Sequence, residues 1–414
     1  MSRIFKHASF SALKYNEFRA YILARFFFIL VLTMQATLIS WKVFEITKDP
    51  FSIGLIGIFE FVPAFIMAFY SGYIIDHSDK KKLLSLSIAA NLLLTIAFTW
   101  ITSQYASNQF SKNTILYSIY MIAFGTGIAR AFSGPTSFAL ISGLVPKEEM
   151  SNAITWHSGI WQVSSVGGPA LAGLLYSMIG METSFRWMVF MMAISVTASL
   201  FIKSKPPILL EKKEKMLQSI QEGFKFVWKT KEILGALSLD LFAVFFGGAT
   251  AMLPYFSDII LKTGPAGLGI LRSAPALGAV CTYVLINFMP IQKNQGRTML
   301  ICVAGFGLTM IAFGLSTYFW LSVFVLFLSG LLDGVSMLVR SSILQLRTPE
   351  SMKGRVSALN SIFVMSSNEL GAFESGFMSR LIGVVPSVVL GGCMTIGIVL
   401  FTWVKIPAIK KMEY

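Results

Sequence analysis

The chain has 414 residues, 55% of them hydrophobic and only 13% charged, with a mean hydropathy of +0.70. That excludes an ordinary soluble domain: about twelve membrane spans of roughly 20 residues each consume nearly all of it and leave little for a catalytic domain. The net charge of +14 would point to nucleic acid in a soluble protein, but in a membrane chain it reads as basic loops held at the cytoplasmic face, so no nucleic-acid partner is expected.

Residues 1–17 form a basic arm with Arg3, Lys6 and Lys14. The apolar run 20–43 is long and lacks a small-x-small cleavage site, so an uncleaved first helix is expected. Apolar spans are expected at 18–46, 51–75, 83–104, 114–144, 150–180 and 184–202. A second set follows at 233–261, 266–289, 297–317, 319–346, 353–383 and 386–405.

Between the second and third spans lies a short charged clamp, from Gly72 through Asp76 to Lys80, Lys81 and Lys82. So tight a connector leaves its two helices antiparallel and adjacent. Gly72 is expected at a close backbone approach. Asp76 sits where the helix macrodipole disfavours an anion, so it needs another partner: Lys80, Lys81 or the amino end of a neighbouring helix. Lysines anchoring a cytoplasmic loop are the plainer reading of the same residues.

The long polar stretch 203–231 holds eight lysines, and Pro206-Pro207 is expected to end the sixth helix. Residues 219–228 read as an amphipathic helix on the inner surface, with a calmodulin-like partner site as the alternative. Basic residues crowd the even-numbered connectors: Lys80–Lys82, Lys147, the central loop, Lys293 with Arg297, and Arg347 with Lys353 and Arg355. With Lys410 and Lys411 in the tail, both termini are expected to be cytoplasmic.

Cys281, Cys302 and Cys393 all lie in apolar runs, so no disulfide framework is indicated. His7, His77 and His157 form no His-x-x-x-His pair, and there is no Cys-x-x-Cys, so no metal site is expected. No phosphate-binding loop is present, so direct drive by ATP is not expected, nor is a cofactor.

An internal repeat is legible. An offset of 203 residues pairs Pro146 with Pro349, Gly127 with Gly330, Ser158 with Ser361, Gly168 with Gly371 and Gly173 with Gly376. An offset of 212 pairs Gly57 with Gly269 and Pro63 with Pro275.

A charge inside a bilayer is costly unless paired or hydrated, so each intramembrane charge is a functional candidate. These are Arg25, Glu60, Arg130, Asp240, Arg272, Asp333, Arg340, Glu369 and Glu374. Asp333 and Arg340 are seven apart and share a helix face. The repeat sets Asp333 opposite Arg130, as a gate, a proton-sensitive pair or a static ion pair. It also sets Arg272 opposite Glu60, each three residues before a proline, where an outer gate and interfacial exposure are equal readings. A carboxyl taken out of water favours its neutral form, which suits reversible protonation by Asp240, Asp333 or Glu369.

The spacing Gly72-x-x-x-Asp76-x-x-x-Lys80-Lys81 after the second span resembles the signature loop of the Major Facilitator Superfamily, with Asp79 where that family usually has glycine. Arg130-Ala-Phe-Ser-Gly134 resembles the family's helix-four arginine motif, and Gly168-Pro169-Ala-Leu-Ala-Gly173 its antiporter motif in helix five. With Leu144-Val-Pro-Lys-Glu-Glu-Met150, Gly235-Ala-Leu-Ser-Leu-Asp240, Gly354-Arg-Val-Ser-Ala-Leu-Asn-Ser361 and Asn368-Glu-Leu-Gly371, they are similar to the bacterial branch that holds the enterobactin exporter and macrolide efflux proteins.

The resemblance implies an all-α membrane protein of twelve transmembrane helices in two pseudo-symmetric six-helix bundles, 1–202 and 233–414, joined by a cytoplasmic linker 203–232. It places Arg25, Gln35, Arg130, Asp240, Asp333 and Arg340 toward a central cavity. It implies a monomer in the bacterial inner membrane that exchanges protons for a siderophore-like or drug-like amphipathic small molecule, outward, by alternating access. An importer of a small organic solute such as a ferric siderophore would share every fold feature. A non-transporting receptor would tolerate neutral residues at the intramembrane charges.

Overall fold

The computed structural model describes residues 8–204, 216–288, 294–349 and 352–405. Arg3, Lys6, Pro206-Pro207, Lys293, Lys410 and Lys411 lie outside them, as does the side chain of Asp76. In hydrocarbon each backbone N–H and C=O must be satisfied within its own segment, so long apolar runs such as these become helices. The first four are α1 (Asn16–Thr47), α2 (Pro50–His77), α3 (Lys80–Ile101) and α4 (Lys112–Ile141). Met150–Leu200 is helical on both sides of Gly180, whose φ of 77° suits glycine, and so divides into α5 (150–179) and α6 (181–200). After a linker helix, Met216–Lys229, come α7 (Lys231–Gly247), α8 (Gly264–Phe288), α9 (Gln295–Leu315), α10 (Phe319–Arg347), α11 (Lys353–Ile382) and α12 (Val384–Lys405).

Ten described segments are long and apolar enough to cross a membrane, and that spanning Lys147–Leu200 is long enough to cross twice. Helix α11 is as long as its neighbours but too polar to be among the ten, carrying Ser366, Ser367, Asn368, Glu369 and Glu374 in mid-helix. Helix α7 is shorter than the expected 233–261. Successive glycines at 247 and 248 stop it, and residues 250–260 continue as short 3-10, α and π turns around Pro254.

The described residues form two compact units, 1–42 with 59–211, and 43–58 with 212–414. In the first, α3 packs against α4 and α6. In the second, α8 packs on α10, α9 on α10 and α12, and α7 on α11 and α12. A core of Ile233, Leu237, Leu300, Val303, Ile343 and Val399 fills the second unit. Within that unit residues 43–58 lie along α11. Gly54 abuts the Ala372 carbonyl, Gly57 abuts the Glu369 carbonyl, Phe51 packs on Phe373 and Phe377, and Lys48 Nζ meets Asp258 Oδ2 at 2.8 Å.

The repeat is visible as one contact made twice. Gly127 of α4 lies against the Glu60 carbonyl and Pro63 of α2, and Gly330 of α10 lies against the Pro275 carbonyl of α8. A Cβ at either glycine would overlap those backbone atoms.

The clamp after α2 departs from expectation at two points. Among the described residues a Cβ at Gly72 would meet no heavy atom within 4 Å, so Gly72 marks no close approach to them. Asp79 is the N-cap of α3: its Oδ1 accepts from the backbone N–H of Lys81 at 2.9 Å and of Lys82 at 3.2 Å, and its Oδ2 accepts from Ser204. An aspartate in place of glycine thus satisfies donors that a helix start leaves open. Lys80 and Lys81 form the first turn of α3, and Asp76 lies in the last turn of α2.

Candidate functional site

The intramembrane polar residues gather into separate arrays. On α2 and α4, Arg130 Nη1 lies 3.4 Å from Glu60 Oε2, and Thr126 Oγ1 donates to Glu60 Oε1 at 3.4 Å. The Gly127 contact sets this geometry by drawing the two helices together at the intervening turn. Arg130 thus pairs with an acid of its own half.

A second array joins α1, α4 and α5. The buried Tyr21 hydroxyl donates to the Ser137 carbonyl at 3.0 Å and lies 2.6 Å from His157 Nδ1. Arg25 donates from Nε to the His157 carbonyl at 3.3 Å and from Nη1 to Ser137 Oγ at 3.0 Å. Only Arg25 of this group stood out from sequence. The available signals were the four-residue spacing of Tyr21 and Arg25 and a histidine inside an apolar run. Farther along α1, the buried Gln35 accepts from Thr95 Oγ1 at 3.4 Å, while its Nε2 finds no partner among the described residues.

The antiporter-like motif of α5 packs on α1. Gly168, Pro169 and Gly173 are all buried, and a Cβ at Gly168 would overlap the Thr33 side chain. Thr33 Oγ1 in turn donates to the Ser164 carbonyl at 3.0 Å.

In the second unit Asp240 of α7 and Arg340 of α10 form an ion pair, with side chains only 9% and 6% exposed. Asp333, on the same face of α10, is half-buried and has no hydrogen bond or ion pair among the described residues. Glu374 of α11 is half-buried beside Ser375 and likewise lacks an ion pair there. Glu369 faces Gly57, and Arg272 is half-buried one turn before Pro275 in α8. Chemically these acids differ. A carboxylate locked to an arginine must break that pair to accept a proton, whereas Asp333 and Glu374 need break none.

Residues 7–414 match the family model described as transmembrane secretion effector. The chain belongs to this family of the Major Facilitator Superfamily. Its curated relatives include the enterobactin exporter EntS of Shigella dysenteriae serotype 1 (strain Sd197), 24% identical over 92% of this chain and 90% of that one. Among solved structures it is similar to a POT family transporter in complex with a thioalcohol-conjugated peptide, with a TM-score of 0.76 at 11% identity, covering 95% of this chain and 96% of the other. A D-xylose–proton symporter gives 0.74 at 13% identity, covering 95% and 98%. As a secretion effector of this superfamily the chain is a multi-pass membrane transporter. The arrays on α1, α4, α7 and α10 lie on the helices that the family resemblance assigns to its cavity.

Proposed function

We propose that the protein exports a siderophore-like or drug-like amphipathic small molecule across the bacterial inner membrane, in exchange for protons, as a monomer working by alternating access. The observation that carries this reading is the Asp333 carboxylate inside α10, without a hydrogen bond or ion pair among the described residues, in a chain related to an enterobactin exporter. A carboxylate held in a span without a partner is a functional group by default. Asp333 is the first carrier, and Glu374 and Glu369 on α11 supply further sites. Arg130 with Glu60, and Arg272 at the equivalent place in α8, act at the helix contacts that change during access. Asp240 with Arg340 holds α7 to α10, and Arg25 and Gln35 face the cargo.

The loop Gly72, Asp76, Lys80 and Lys81 and the α5 turn Gly168, Pro169 and Gly173 are the moving joints. Two bundles, 1–202 and 233–414, joined by the cytoplasmic linker 203–232, are the bodies that rock, and both termini face the cytoplasm. The test is uptake of enterobactin into inside-out vesicles carrying an acid interior. Export predicts concentrative uptake that a protonophore abolishes. Uptake only into right-side-out vesicles would make the protein an importer.

A further inference from the structure

We propose that the face formed by α1, α4 and α5 is an anion subsite, with Arg25 as its charge and an aromatic organic anion as its ligand. As a statement about cargo this rests on the transport reading above; as a binding site it stands alone.

A guanidinium carries five N–H donors and no acceptor. Arg25 directs one donor to the His157 carbonyl and one to Ser137 Oγ, both uncharged acceptors. No carboxylate lies within ion-pair distance of it among the described residues. The Tyr21 hydroxyl does not supply a counter-charge, being engaged by Ser137 and His157. Among the described residues this half-buried arginine inside a span thus keeps its Nη2 donors unspent and its charge uncompensated, an expensive arrangement unless an anion visits it. The planar fork suits two oxygens of a carboxylate.

What surrounds this charge is aromatic. The Tyr21 and His157 rings are parallel at 6.2 Å, and the Phe138 ring stands edge-on to His157 at 5.8 Å. Phe138 is 56% exposed and Trp161 48% exposed. Trp161 lies four residues beyond His157, on the same face of α5. One turn before Phe138, Gly134 is exposed and a Cβ there would meet none of the described residues within 4 Å, so they leave room at this level of α4. Open ring faces beside an uncommitted guanidinium select a ligand that carries both a π-system and a negative oxygen.

The full-length protein in phosphatidylcholine nanodiscs is titrated calorimetrically with 2-naphthoate and with its uncharged analogue 2-naphthol. The wild type is expected to prefer 2-naphthoate by about tenfold or more. Arg25→Gln is expected to erase that preference while still binding 2-naphthol. Equal affinities in the wild type, or a preference that survives Arg25→Gln, overturn the proposal. If Arg25→Gln does not fold, Arg25→Lys keeps the charge but loses the fork, and a preference that fails to fall overturns it as well. Displacement of 2-naphthoate by equimolar inorganic phosphate would mean that charge alone is read and would remove the aromatic part. Loss of 2-naphthoate binding in phosphatidylglycerol nanodiscs would give Arg25 to a lipid headgroup instead. Binding as expected in a protein that moves no enterobactin would leave the subsite standing and remove the export reading.

Discussion

The two units each hold an ion pair within their spans, and the pairs are built differently. Arg130 and Glu60 meet at 3.4 Å with side chains 45% and 25% exposed, whereas Asp240 and Arg340 are 9% and 6% exposed. The repeat makes the comparison a fair one, because Gly127 and Gly330 fix the same helix contact in both units. At the position three residues beyond that glycine the first unit places a paired base, Arg130, and the second an acid, Asp333, with no ion pair among the described residues. The second unit has moved its ion pair two turns along α10, to Arg340. A buried pair resists opening, while a partly exposed one exchanges partners with water at little cost. One half thus keeps a rigid brace and a carboxylate without an ion pair among the described residues, and the other a pair that can open.

The largest expected effect tests the brace. Asp240→Asn or Arg340→Gln alone should cost about 3–5 kcal/mol by leaving a buried charge uncompensated, read as a fall in detergent-solubilised melting temperature. The double variant Asp240→Leu with Arg340→Met should recover most of that loss; singles as stable as the wild type would break the comparison.

Next come Gly127→Leu and Gly330→Leu, each expected to lose about 1–3 kcal/mol by overpacking. Similar losses in the two unfolding curves would sharpen the equivalence, and unequal ones would undo it. Glu60→Gln should cost no more than about 1 kcal/mol, and its small effect should fade in high salt. The smallest shift is expected of Asp333→Asn, within about 0.5 kcal/mol, because no pair is broken.

The spans were legible because each is set by the composition of some twenty consecutive residues, and the repeat because its glycines and prolines mark backbone contacts. Partners were not legible. Tyr21, Ser137 and His157 come from three helices, Tyr21 more than a hundred residues from the other two. Local spacing puts Tyr21 beside Arg25, but only the packing of α4 and α5 on α1 brings Ser137 and His157 there. The same limit hid the Glu60 partner of Arg130, which comes from α2, and the cap that Asp79 supplies to α3. The span 233–261 was legible from its apolar content, but not the interruption at Gly247 and Gly248, beyond which short 3-10, α and π turns carry it to Ile260.

The most direct test of this division of labour is cargo-driven proton movement in proteoliposomes with an interior pH dye, using enterobactin as cargo. Wild type and Glu60→Gln should both move protons when cargo is added, whereas Asp333→Asn should fold normally and move none. A wild-type proton signal from Asp333→Asn would contradict the account and return the carrier role to the acids of α11.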